Sequence, residues 1–244
     1  MKMLMLITGG SGRLGKELVK LYPEALHPTR QELDVTNEVQ VNDYVFRHRP
    51  QAIIHTAALT NVAYCEAHRR IAYESNVVGT KNLIASMNNG SSSPCFIYIS
   101  TACVFHGDVG NYVETDLPYP TNYYGLTKLL GELLVQHSKL PWTIVRTNFV
   151  AREPWPYPKA FTDRFGTYLF ASDVAVALDS IIRKRLTGVL HVCGKEKMSM
   201  YELAKITTPT IKPMTLTEYH GVPLTVDMSL SSIKLKPSQI SRGE

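Results

Sequence analysis

Charge is scarce in this sequence. Asp, Glu, Lys and Arg make up 19% of its 244 residues, below the roughly 25% usual in soluble proteins. With 44% apolar residues, the composition excludes a disordered chain. Lys and Arg number 26 against 21 acidic residues, a net charge of +5. The only basic runs are Arg69-Arg70 and Arg183-Lys184-Arg185. Such short runs read as solvated helix faces, so nucleic acid is not expected as a partner. No run approaches the roughly 20 apolar residues that span a bilayer, so no membrane partner is expected either. The four cysteines, Cys65, Cys95, Cys103 and Cys193, show no C-x-x-C pair and no histidine at zinc spacing. Neither a disulfide frame nor a metal site is therefore expected. The opening MKMLMLITGG runs into glycines without a small-residue cleavage pattern, so no secretory leader is expected and the cytoplasm is the expected location. No internal repeat or low-complexity segment is visible.

What is present is alternation. Short apolar runs at Met3–Thr8, Ala52–Thr56, Phe96–Ser100, Thr143–Arg146 and Val189–Val192 read as strands. Helical spacing separates them at Leu14–Tyr22, Ala67–Met87, Tyr123–Gln136 and Ser172–Ile182. The expected fold is α/β, a Rossmann-type doubly wound parallel sheet with a small C-terminal substrate-binding subdomain. The core is expected over 1–150, continued by 171–195. The small part is expected from 151–170 and 196–244, stretches rich in Pro, Thr and aromatics that would close over a substrate. Ser199-x-x-Glu202 is a capping box at the start of a late helix.

Thr8-Gly9-Gly10-Ser11-Gly12-Arg13-Leu14-Gly15 follows the first strand and opens the first helix. Glycines there let the backbone turn tightly and approach a pyrophosphate seated on the helix N-terminus. The bland alternative is an ordinary glycine-rich turn, but strand–loop–helix context points to a dinucleotide. An NAD site usually carries an acidic residue about 20 positions on. Here that stretch is Leu26-His27-Pro28-Thr29-Arg30, without a carboxylate. Arg30 and Arg13 would instead face a 2′-phosphate, so NADP(H) is expected, with NAD(H) possible. Asp34 comes slightly late and reads as an adenine contact.

Tyr124-Gly125-Leu126-Thr127-Lys128 sets a phenol and an ammonium one helical turn apart. A free tyrosine titrates near pH 10. A neighbouring ammonium is expected to lower it toward neutrality, where it can exchange a proton with substrate. Tyr201-x-x-x-Lys205 matches the same spacing, but only the first copy has a hydroxyl upstream at a strand end. Ser100-Thr101 ends the third strand, and Thr101 would there polarise a substrate carbonyl. Its bland reading is a turn cap. Cys103, lacking a paired histidine, reads as a small hydrophobe. His55, His106 and His191 read as satisfied core histidines, and Trp155 as either substrate platform or packing.

TGGSGRLG, HTAALTNV, Asn76-Val77-Val78-Gly79-Thr80, STACVF and YGLTK follow one another as in the extended short-chain dehydrogenase/reductase family, which the sequence resembles. Tyr112-x-Glu114-x-Asp116-x-Pro118-x-Pro120 followed by Tyr124 to Glu132 resembles its dTDP-4-dehydrorhamnose reductase branch. That branch includes the related regulatory β subunit of methionine adenosyltransferase. Arg146-Thr147-Asn148-Phe149, Ser172-Asp173-Val174-Ala175 and Asp227-x-Ser229-Leu230 fit as well, so the resemblance covers nearly the whole chain. It implies that Gly9, Gly12 and Gly15 cradle the pyrophosphate, with Arg13 and Leu14 adding loop contacts. It places Asp34 and Val35 at the adenine and Ala57, Ala58 and Leu59 along the cofactor channel. Asn76 becomes a structural or cofactor-side residue, and Phe149 and Val150 lie near the nicotinamide. Thr101, Tyr124 and Lys128 become the catalytic set, and Lys128 also holds the ribose. Thr60, Val62, Cys103 and Val104 would flank the sugar.

The sequence departs from that branch in three places. Where the branch reads Asp-Tyr-Val-Phe after the catalytic threonine, this chain reads Ala102-Cys103-Val104-Phe105. The segment between Val150 and Ala171 is short, and the late Arg-Pro reads Val222-Pro223. Arg152, Lys159 and Arg164 are expected to replace the lost diphosphate ligand, with Trp155 beside the substrate. The expected activity is NADP(H)-dependent reduction of a nucleotide-linked 4-keto-6-deoxy sugar, by a monomer or a homodimer. The alternatives are an epimerase or dehydratase of the same superfamily and a non-catalytic NADP-binding regulatory subunit.

Overall fold

Five short segments pair into one parallel sheet because nearly every residue in them is buried, leaving no polar face to turn outward. The computed structural model describes residues 3–88 and 94–241. The first two residues of the opening run and the last three of the 196–244 stretch lie outside the described residues.

The chain runs through β1 (Met5–Thr8), α1 (Arg13–Leu21), α2 (Glu38–His48) and β2 (Ala52–His55). The short α3 (Val62–Ala67) and α4 (Arg69–Tyr73), a π-helical turn at Glu74–Val78, and α5 (Gly79–Asn88) follow. Then come β3 (Cys95–Thr101), α6 (Tyr123–Gln136), β4 (Trp142–Thr147), α7 (Ala171–Arg183), β5 (Gly188–Val192) and α8 (Met200–Thr207). The sheet order is β1–β2–β3–β4–β5, all parallel. Leu26 makes a parallel bridge to Leu6, on the open side of β1.

That order creates a crevice. The chain leaves β1, passes through α1 to Leu26 on one side, and returns through α2 to β2 on the other. Where a doubly wound sheet changes direction, the loops beyond the strand ends splay apart and admit a ligand. Alternate residues of the strands feed two cores. Ile7, Ile54, Ile99 and Val145 pack with Leu14, Leu18, Val174 and Leu178. Leu6, Ile53, Phe96 and Ile144 pack with Val41, Val45 and Leu83.

Past β4 the chain forms small ribbons. Phe149–Val150 pairs with Leu169–Phe170, Phe165–Gly166 with Met198–Ser199, and Lys159–Phe161 with Lys212–Met214. Among the described residues no helix is long and apolar enough to cross a membrane.

Three differences from the sequence reading stand out. Helix α2 was not expected. The pattern over Ala67–Met87 is two helices with a widened turn between them. His106 is exposed beside Asp108, its Nδ1 3.1 Å from the carboxylate, whereas His55 and His191 are buried. His55 Nδ1 lies 2.7 Å from Thr8 Oγ1 and Nε2 3.1 Å from Thr80 Oγ1. Burial, aided by the Lys128 charge, pushes its pKa down to about 3, so this ring is neutral and satisfied.

Candidate functional site

The glycine loop is shaped by close backbone approach. Gly9 has φ +71°, and a Cβ there would stand 2.7 Å from the Ala57 nitrogen. A Cβ on Gly15 would stand 2.1 Å from the Gly9 carbonyl oxygen. Only glycine fits either position. Gly12 precedes α1 without a side-chain cap, so the first amides of the helix face the crevice.

The crevice holds about 290 Å³ and is walled by Gly9, Gly12, Arg30, Asp34, Val35 and Ala57 through Leu59. Sequence reasoning missed Pro28, Leu33 and Ser75, which also line it. Arg30 lies at the open lip with its Nε 3.2 Å from Asp34. Burial pushes the Asp34 carboxyl up, but hydrogen bonds from Thr36 and the Arg30 guanidinium outweigh it and hold the group below the usual carboxylate range. Arg13 is exposed. Leu14 is turned into the core, so its side chain makes no loop contact and only its backbone remains for that role.

The second half of the site is where β3 meets α6. Thr101 ends β3, and its hydroxyl accepts the Cys103 N–H at 3.2 Å, capping the tight turn Ala102–Val104. The bland reading of Thr101 is therefore real, yet the hydroxyl keeps its own proton to donate. Asn122 caps α6 by accepting the Gly125 N–H at 2.8 Å, which sets Tyr124 in the first turn. Thr101 and Tyr124 are both buried, 6% and 9% exposed. Burial raises the Tyr124 pKa well above 10, while hydrogen bonding to Thr101 pulls the other way.

Lys128 follows Tyr124 by one turn of α6 and is 2% exposed. Its ammonium stands 3.9 Å from the centre of the Tyr98 ring. Burial lowers its pKa to about 7, with the Glu132 carboxylate pulling it back up.

Two further residues organise the site. Glu132, fully buried, accepts from Arg146 Nη2 at 2.7 Å, Arg146 Nε at 3.0 Å and Ser100 Oγ at 2.5 Å. The signal was a Glu four positions after Lys128 within an apolar helix. Asn76 lies in the widened turn. Its Oδ1 accepts the Leu59 N–H at 2.7 Å, and its Nδ2 donates to the Leu59 carbonyl at 3.0 Å and to Thr127 Oγ1 at 2.9 Å. Thr127 donates in turn to the Tyr124 carbonyl at 2.8 Å. The Asn76 amide is thus engaged by protein rather than open to a cofactor, and it ties the Leu59 loop to α6.

The expected substrate residues are scattered more widely. Cys103 is buried beside the site, and burial pushes its thiol pKa up, which keeps it protonated. Val104 is fully buried, so its side chain faces packing. Thr60 is exposed, and Val62 and Phe149 are half-buried. Arg152 lies over the Phe170 ring at 4.4 Å and donates to Ser241 Oγ at 2.8 Å. Lys159 pairs with Glu218 at 3.3 Å on the surface. Trp155 packs with Ala160, Ala204 and Ile211 and donates Nε1–H to the Lys159 carbonyl at 3.2 Å. These three are engaged elsewhere, because the short Val150–Ala171 segment folds back on α8 and the C-terminal stretch. Arg164 alone of the proposed cations reaches the Cys103 side. Tyr201 and Lys205 stack on each other along α8.

The family model described as RmlD substrate binding domain matches residues 1–162. The chain is 31% identical over 223 residues to a Streptomyces niveus protein named dTDP-4-keto-6-deoxy-D-glucose reductase, covering 83% of this chain and 76% of that one. It is 26% identical over 236 residues to methionine adenosyltransferase 2 subunit beta of Bos taurus, covering 82% and 70%. A crystal structure of dTDP-4-dehydrorhamnose reductase from Bacillus anthracis in complex with NADP superposes with a TM-score of 0.86 at 28% identity, covering 95% of this chain and 91% of that one. The chain therefore belongs to the RmlD substrate binding domain family, in the dTDP-4-dehydrorhamnose reductase-like branch of the extended short-chain dehydrogenases/reductases.

Proposed function

We propose that this protein is an NADP(H)-dependent reductase of a nucleotide-linked 4-keto-6-deoxy sugar. One observation carries the reading: Thr101 and Tyr124 meet in a buried position at the carboxyl edge of a sheet whose first loop is a glycine cradle. The cradle fits a dinucleotide, since a Cβ at Gly9 or Gly15 would fill the space the loop needs.

In this reading Gly9, Gly12 and Gly15 hold the pyrophosphate, and Asp34, Val35 and Ala57 to Leu59 hold the adenosine side. Arg30 at the lip favours a 2′-phosphate, because Asp34 is already engaged by Arg30 and Thr36. Lys128 holds the ribose. The bound cofactor supplies hydride to the carbonyl carbon. Thr101 orients the carbonyl oxygen through its hydroxyl. Tyr124, kept protonated by burial, donates its phenolic proton to that oxygen as charge develops. Phe149 and Val150 exclude water on one side, and Thr60, Val62 and Cys103 flank the sugar. The stretches 151–170 and 196–241 close over the substrate. We place the enzyme in the cytoplasm, as a monomer or homodimer.

NADPH consumption by the pure protein with dTDP-linked 4-keto-6-deoxy sugar tests this. Turnover that prefers NADPH to NADH supports it. Clear NADPH binding without turnover on dTDP-, UDP-, GDP- or CDP-linked substrates overturns it. That outcome would favour the non-catalytic reading, which the methionine adenosyltransferase relative supports. A dehydratase would want an acidic pair next to Thr101, where this chain has Ala102-Cys103, and NAD bound to the purified protein would favour an epimerase or dehydratase.

A further inference from the structure

Among the described residues two buried side-chain hydroxyls stand without partners. Thr147 Oγ1 has none, and Thr147 is the register partner of Thr101 across β3 and β4. Tyr168 Oη has none either, on a side chain only 4% exposed. Leaving a buried hydroxyl unpaired is costly. A structural tyrosine with no use for its hydroxyl would be stabler as phenylalanine.

The place the Tyr168 ring points is informative. It lies against Gly166, where a Cβ would stand 2.6 Å from the ring carbon bearing the hydroxyl. The ring thus folds back along the chain toward Arg164. The charges of Arg164 and Asp227 both reach the phenol.

Arg164 is half-buried and makes no ion pair within 4.0 Å among the described residues. Its acceptors are the Thr225 carbonyl at 2.8 Å, Thr225 Oγ1 at 3.2 Å, and two thioethers, Met200 Sδ at 3.2 Å and Met228 Sδ at 3.6 Å. A thioether is a weak acceptor for a guanidinium. The Met228 sulfur also lies 3.5 Å from Cys103 Sγ, so it fills the gap between Arg164 and the turn after Thr101. Methionine is unbranched and adaptable, and it yields to an incoming group more readily than other core residues.

We propose that Arg164 and Tyr168 form a substrate-reading pair that receives a phosphate oxygen of the sugar nucleotide's diphosphate by displacing the Met228 thioether beside Cys103. The pair replaces the polar side chains that Ala102-Cys103 lack. This rests on the reductase reading above and names what that site selects.

Tyr168→Phe is the decisive variant, because it removes an unpartnered hydroxyl and keeps the ring that packs the core. We expect KM for the sugar nucleotide to rise about ten-fold, the loss of one hydrogen bond to a charged group. NADPH affinity and thermal stability should hold or improve. Arg164→Met should raise KM further, and Arg164→Lys should restore part of the loss. Calorimetric titration with dTDP alone tests the diphosphate contact directly. dTDP binding should weaken in both variants, because the diphosphate carries the oxyanion; weakening of the sugar nucleotide alone would overturn the phosphate assignment. Unchanged KM and unchanged dTDP affinity in Tyr168→Phe overturn the proposal. Wild-type protein that binds neither dTDP nor sugar nucleotide overturns the reductase reading instead.

Discussion

A side-chain carbon on Gly125 would stand 2.1 Å from the carbonyl oxygen of Cys103. The first turn of α6 therefore lies flush against the turn that follows Thr101. That contact brings the Tyr124 phenol to the end of β3. Gly131 repeats the device two turns later, where a Cβ would stand 2.1 Å from Tyr98 Oη. Each glycine costs a helix interior about 1 kcal/mol relative to alanine, and close approach to the strand is what the site gains from it.

Gly125→Ala should therefore weaken the protein despite its better helix propensity. Overpacking of this kind costs about 1–3 kcal/mol. We expect a lower melting temperature and a kcat reduced at least about ten-fold, with NADPH affinity less affected. Wild-type kcat in this variant would show that α6 can move away without loss.

Tyr124→Phe should abolish turnover and leave NADPH affinity nearly unchanged, as read from steady-state kinetics and a binding titration. Tyr201→Phe should leave both unchanged, since Tyr201 lies on α8 against Lys205. Because burial holds the Tyr124 pKa well above 10, kcat should show no alkaline inflection from this phenol near neutrality.

Lys128 makes stability depend on pH. Its folded pKa is about 7 against an ordinary 10.5, burial being the main cause. Between those values the unfolded chain binds the extra proton, so this group makes stability rise with pH. Its penalty is full below pH 7 and fades toward pH 10.5. Lys128→Met should therefore stabilise the protein at pH 6, on the order of a few kcal/mol, and much less near pH 10. Urea unfolding at the two pH values checks the difference, and an equal effect at both would refute the sign. The same variant should bind NADPH more weakly.

Glu132→Gln should destabilise by about 3–5 kcal/mol, because Arg146 would remain buried without its carboxylate. Arg146 is 3% exposed, and its Nη1 already lacks a partner. Denaturant unfolding gives the magnitude. A loss below about 1 kcal/mol would mean that water or Ser100 compensates for the missing charge.

The sheet was legible because its strands are buried on both faces and read as apolar runs. Helix α6 was legible to both ends because Asn122 caps it and its apolar spacing is regular. Helix α2 was hidden: only Val41 and Val45 are buried along its eleven residues, too few to stand out as a periodic stripe. The ribbons after β4 were hidden too, since each is two or three residues long and pairs with a distant segment. Phe165–Gly166, for instance, meets Met198–Ser199. In the site, Tyr-x-x-x-Lys spacing located Tyr124 and Lys128 but not their directions. Spacing along a helix says which residues share a face, whereas burial against Tyr98 decided where the ammonium went. The engagement of Asn76 by Leu59 and Thr127 was invisible for the same reason, because both partners lie on other elements.

The widened turn at Glu74–Val78 sets a tolerance for changes in chain length. It takes up extra backbone within an otherwise continuous helical stretch, so the residues before and after it are out of phase with a regular α-helix. Removing one residue there would restore ordinary winding and leave the flanking helices on the faces they already present, whereas the same deletion within regular helix would rotate them by about 100°. The loss would fall on Asn76, whose contacts with Leu59 and Thr127 are made from the widened turn. A one-residue deletion here is thus absorbed by the packing of α4 and α5 and felt at the site, whereas the same deletion in the exposed loop around Asp116–Leu117 would leave Asn76 untouched.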